Sequence, residues 1–356
     1  MKIAMTLKII IFIFFMGGIK SLHSSFPKKT IIEQMNIDKV WWDGLSDEWK
    51  TILLINQNFS KQHTDIYAVQ NGYVNRMHTK NQDDYSEMNQ NLHDLNSKKA
   101  FGLTYYQFYD RAIKYKFVTA NDSINLATLG ELEMIYMVGG PGDLTPLTKF
   151  PNLKVLILNS CGTYGVNRID GASLDLEPLS NLNKLQVLEC NAHLLHSIEP
   201  IKNLTALRHL RIESSEVTNL SPLKKLVNLE VLTVRTKAKS VSVISKLINL
   251  RALHLNGFKK LPNLSNLKKL ESLSICEDEI ALVNSSYRIN NLGFLTALKN
   301  LKYLDLNYTS YRGDLMDLID LQNLKAITLP EVSRYNRSKF KDHHKNCLII
   351  NSYEFE

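Results

Sequence analysis

The pattern L-x-x-L-x-L recurs along the chain. It runs through Leu153, Leu156 and Leu158, then Leu185, Leu188 and Cys190, then Leu207, Leu210 and Ile212. Further copies start at Leu229, Leu250, Leu270, Leu301 and Leu324, and a looser one (Leu132, Ile135, Met137) precedes them all. The first residues of successive copies lie 21, 32, 22, 22, 21, 20, 31 and 23 residues apart. The base period is thus 21–22 residues, with two longer units.

Each unit mixes two periods. The L-x-L part alternates, as in a strand with one buried face. The remainder is apolar at every third position, for example Val217, Leu220, Leu223, Leu226 and Leu229. Period three predicts a tight 3₁₀-like or extended return with one edge inward. So short a unit leaves no room for a long outer helix. Burying a large apolar side chain stabilises by roughly 1.5–3 kcal/mol, while ordering each residue's backbone costs roughly 1–2 kcal/mol. A single unit therefore cannot fold alone and must stack on neighbours and end caps.

These copies, over about residues 126–330, resemble the leucine-rich repeat family in its short, internalin-like form. The resemblance implies an α/β solenoid. Its parallel sheet would line the concave face, with short 3₁₀ or extended turns on the convex side. It also implies a binding module with a protein partner. One departure stands out. The family places Asn, sometimes Cys, three residues after the third apolar position. Here that column reads Gly140, Cys161, His193, Ser215, Lys237, Phe258, Asp278, Thr309 and Val332, so only Cys161 fits.

Outside the repeats the pattern changes. Lys2 and Lys8 precede an apolar run from Ile9 to Ile19, which is the length of a secretory signal and too short for a bilayer span. Residues 1–24 are read as a cleaved signal, with export to the periplasm, cell surface or medium and no stable membrane span afterwards. Residues 25–125 predict an α-helical cap. Ser46 precedes Trp49, Ile52 and Leu53 at helical spacing, and Tyr85, Met88, Leu92 and Leu95 suggest another helix. The segment from Trp41 to Lys50 resembles the N-terminal region of exported leucine-rich repeat proteins of Bacteroidetes-type bacteria. Residues 331–356 predict a closing cap, with a short basic helix around 336–343 and a last strand from Cys347 to Ile350.

Composition narrows the function classes. The chain has 356 residues, 44% hydrophobic and 22% charged, which excludes overall disorder. Four cysteines are too few for a disulfide scaffold. Cys161 and Cys190 take inward positions of adjacent units, as buried thiols or as a bridge formed after export. Net charge is +8, falling to +5 without the three lysines of 1–24. Basic and acidic residues alternate, which argues against nucleic acid. No H-E-x-x-H, G-x-x-x-x-G-K, G-x-G-x-x-G or G-x-S-x-G is present. The acidic residues near 167–175 miss the calcium-loop spacing, and His343 and His344 are adjacent, so they do not converge on one ion. No catalytic residue, cofactor or metal is expected.

Strand alternation predicts an exposed sheet face. It is apolar over the first two units (Met134, Tyr136, Val155, Ile157) and charged at the centre (Glu189, His209, Arg211, Glu213, Arg235, His254). The apolar end reads either as covered by the helical cap or the 162–173 insert, or as an open partner patch around Tyr136 and Ile157. The charged centre is the expected partner site, because Arg is a common interface anchor. The alternative is a glycan held by Tyr136, Tyr303, Asn256 and Asn307.

Overall fold

The computed structural model describes residues 39–46, 49–50, 52–53, 57, 125–138, 142–159, 173–192, 194–258, 261–276, 292–306, 309, 314–329 and 334–351. The signal-like segment, the helix expected at 85–95, Cys161 and the inserts around 162–172 and 280–291 lie outside them. The chain divides into two compact units, Met1–Leu195 and His196–Glu356.

In the first unit the L-x-L segments form parallel strands β1 (Met134–Val138), β2 (Val155–Asn159) and β3 (Val187–Asn191). Between β1 and β2 the period-three run becomes a chain of i+3 to i bonds. The amides of Leu147, Phe150 and Leu153 donate in turn to the carbonyls of Leu144, Leu147 and Phe150, at 2.9, 3.0 and 3.0 Å. All four side chains are buried. The 3₁₀ segments are Thr145–Lys149 and Glu177–Leu179. Pro146 and Pro178 sit in their first turns, where a missing N–H costs nothing.

The helical N-terminal segment packs on this unit. A helix spans Lys39–Asp43, and Trp49, Lys50, Ile52, Leu53 and Gln57 take further helical positions. Ser46 Oγ accepts from the Trp49 amide at 3.2 Å, the N-cap the sequence predicts. Trp49, Ile52 and Leu53 are buried. The Trp49 indole N–H donates to the Asp143 carbonyl at 2.9 Å, and Trp41 meets Phe150 edge-on at 6.3 Å. Gln57 closes the seam, with Nε2 donating to the Asn125 carbonyl at 2.6 Å and Oε1 accepting from the Asn125 amide at 2.8 Å.

The second unit repeats the design. Its strands are β4 (His209–Ser214), β5 (Val231–Thr236), β6 (Ala252–Asn256), β7 (Ser272–Cys276), β8 (Tyr303–Asp305), β9 (Ala326–Leu329) and β10 (Leu348–Asn351). Each pairs in parallel with the next. The 3₁₀ returns are Glu199–Asn203, Ser221–Lys225, Ser242–Lys246, Gly293–Leu295 and Leu315–Leu318. A helix at Arg334–His343 precedes β10. Its Phe340 is buried and stacks on His344 at 4.4 Å, and His344 Nε2 lies 3.0 Å from the Ile319 carbonyl oxygen.

Two columns stitch successive repeats. The first is the residue just before each leading leucine. Asn228, Asn249, Asn300 and Asn323 donate their amides to Thr205, Val227, Lys268 and Lys299 carbonyls, at 2.9, 2.9, 2.7 and 2.7 Å. The asparagine ladder absent from the loop after the strand is thus carried before the strand. The second column, one residue after the leading leucine, sets opposite charges side by side at several steps. Lys154 pairs with Glu133, Arg208 with Glu230, and Glu271 with both Arg251 and Lys302.

Candidate functional site

Parallel in-register pairing turns the outward strand positions into rows. In the first unit one row is Tyr136, Ile157 and Glu189. The side chain of Tyr136 lies outside the described residues. In the second unit the corresponding row is Arg211, Thr233, His254, Ser274, Asp305 and Thr328. Flanking it are Glu213, Arg235 and Asn256 on one side, and His209, Val231, Ala252, Ser272 and Tyr303 on the other.

This face is not open, which corrects the alternation-based expectation. Ile157, Glu189, His209, Arg211, Glu213 and His254 are all buried, with His209 at 0% and Arg211 at 9% relative exposure. Met134, Val155 and Val187 are buried too, so the apolar end is no open patch. Of the central charged residues only Arg235 is exposed. Alternation specifies which face a side chain takes, but not its shielding. Tyr303 and Asn256, expected to offer a glycan surface, are also buried, and Asn307 lies outside the described residues.

Two polar pairs lie on the buried face. Arg211 Nη2 lies 2.6 Å from Glu213 Oε1, two residues along the same strand. Ser274 Oγ donates to Asp305 Oδ2 at 2.9 Å across adjacent strands. Burial pushes His209 down to about 3, and the Arg211 charge adds to the shift. His254 is lowered to about 3 by burial, then by Arg211 and Arg235. Both imidazoles are therefore neutral across the physiological range. Beside the face, burial would raise the Glu271 carboxyl, but bonds from Lys302 and Arg251 outweigh it and hold the group below its usual range. Among the described residues no group of three or more His, Cys, Asp and Glu is placed to hold a metal ion. His343 Nδ1 lies 3.1 Å from the Lys339 carbonyl oxygen, away from the Ile319 carbonyl that His344 meets. Cys190 is buried, and Cys161, the other half of the bridge considered above, lies outside the described residues.

Thr233, Ser274, Asp305 and Thr328 complete the row around Arg211 and His254. Their signal is positional, since each is the second outward residue of its strand segment.

A leucine-rich repeat region model matches residues 165–350. Among solved structures, internalin C2 of Listeria monocytogenes is 23% identical, with a TM-score of 0.47, over 61% of this chain and 87% of that one. An internalin F of the same species is 19% identical, with a TM-score of 0.39, over 64% and 76%. A leucine-rich repeat protein of Leptospira interrogans is 20% identical, with a TM-score of 0.42, over 57% and 56%. No curated protein matches this chain.

Proposed function

This chain belongs to the leucine-rich repeat family, and we propose that it is an exported, non-enzymatic member that holds a protein partner at its strand face and inserted loops. A stack of registered rows is a rigid frame for recognising another protein. The observation that carries the reading is Arg235. It is exposed, and it shares a row with Glu213 and Asn256, whose side chains are buried. Arg suits an anchor because its planar guanidinium offers five donors to carboxylates and carbonyls on a partner.

Arg211, Glu213, His209 and His254 form the backing of that anchor rather than its contact surface. In the first unit Ile157 and Glu189 are likewise buried.

Arg235→Glu is expected to abolish capture of the partner, and unchanged capture would move the site elsewhere. Export rests on the basic and apolar start of the chain. N-terminal sequencing of the mature protein should begin between Lys20 and Phe26, and an intact Met1 would remove the export reading.

A further inference from the structure

The returns between strands expose a second surface, away from the strand face. In the period-three runs every third residue turns inward, and most of those between turn outward. Three successive returns of the second unit, residues 221–229, 242–250 and 261–270, contain no Asp or Glu. They carry Lys224, Lys225, Lys246, Lys268 and Lys269, all exposed. Between these lysines stand Val227 and Ile248, 47% and 55% exposed and among the few large hydrophobics left open in the described residues.

Hydrogen bonds between the returns make the surface continuous. Asn249, next to Ile248, donates to the Val227 carbonyl at 2.9 Å. Lys269 Nζ donates to Asn249 Oδ1 at 2.7 Å, and Lys268 Nζ to the Ala297 carbonyl at 3.2 Å. Lys225 Nζ donates to Asn203 Oδ1 at 3.2 Å. These acceptors are neutral, so the ammonium charges stay uncompensated. The neighbouring carboxylates are already engaged by other cations: Glu199 by Lys202, Glu230 by Arg208, and Glu271 by Arg251 and Lys302.

We infer that this edge is a peripheral docking surface for an anionic lipid bilayer. The lysines meet phosphate headgroups while Val227 and Ile248 enter the headgroup boundary. The charge complements an anionic interface, and an exposed aliphatic pair amid flexible lysine stems suits a surface with an apolar layer beneath its charge. A soluble polyanion would make no use of the aliphatic pair. No described helix is long and apolar enough to cross a membrane, so this is contact and not insertion. The inference does not depend on the partner site at Arg235, which lies on a strand.

The test is co-sedimentation of the full chain with phosphatidylcholine vesicles, with and without one-third phosphatidylglycerol. The apolar run at 9–19 is common to every variant, so the phosphatidylglycerol-dependent increment is the reading. That increment should be large and screened by salt. Each lysine near an anionic surface is worth about fivefold in partitioning, so reversing Lys224, Lys225 and Lys246 to Glu should reduce it on the order of a hundredfold or more. Val227→Ser with Ile248→Ser should reduce it several-fold at unchanged charge, and Arg235→Glu should leave it intact. Circular dichroism checks that each variant is folded. No phosphatidylglycerol-dependent increment overturns the inference. So does equal binding to soluble polyglutamate with no effect of the serine pair, an outcome that assigns the edge to acidic polymers instead.

Discussion

Lys269 donates to Asn249 Oδ1 at 2.7 Å, while Asn249 donates onward to the Val227 carbonyl. One side chain thus ties three consecutive repeats at the point where each return enters its strand. Where this column holds Lys instead of Asn, the bond is kept by reaching back to the preceding Asn, as Lys184 does to Asn152 at 2.6 Å in the first unit.

Asn249→Ala removes both bonds. A net hydrogen bond contributes about 0.5–1.5 kcal/mol, so a loss of roughly 1–2 kcal/mol is expected in urea unfolding. Asn300→Ala, which removes one bond, should cost about half as much. Equal and negligible losses would show that leucine packing alone sets the stacking.

Trp49→Ala should strip the N-terminal segment from the first repeat. A buried Trp→Ala change costs roughly 3–5 kcal/mol, and here the Asp143 carbonyl also loses its donor. Hydrogen exchange should accelerate around 129–158 in the first unit. Unaltered protection there would mean that the helical segment is not a cap.

Much of this architecture was legible because it repeats. The strands, the period-three returns and the Ser46 cap follow from spacings within one unit. The closed strand face did not, because alternation within a strand says which face a side chain takes and not what packs over that face. The stitching column was visible as Asn before the leading leucine at 152, 228, 249, 300 and 323.

The buried histidines set a pH dependence. His209 and His254 have folded values near 3 against 6.5 when free. Between those values the unfolded chain binds more protons, so stability is fully present above pH 6.5 and is lost as pH falls towards 3. The slope is up to about 1.4 kcal/mol per histidine per pH unit. His254→Gln should flatten the urea midpoint between pH 6.5 and 4. An unchanged slope would mean that the imidazole is solvated.

Arg211 and Glu213 test the face differently. Glu213→Gln leaves a buried guanidinium short of its partner and should cost about 3–5 kcal/mol. The double change Arg211→Met with Glu213→Leu should be close to neutral. If the double variant is as unstable as the single one, the pair has a structural role beyond mutual neutralisation.

The most direct measurement of the proposed partner site is photo-cross-linking from single positions of the protein. A photoreactive residue at 235 should yield a discrete protein adduct, while the same residue at the exposed Asn219, on a return, should not. Adducts from 219 alone, or from neither position, would contradict the account.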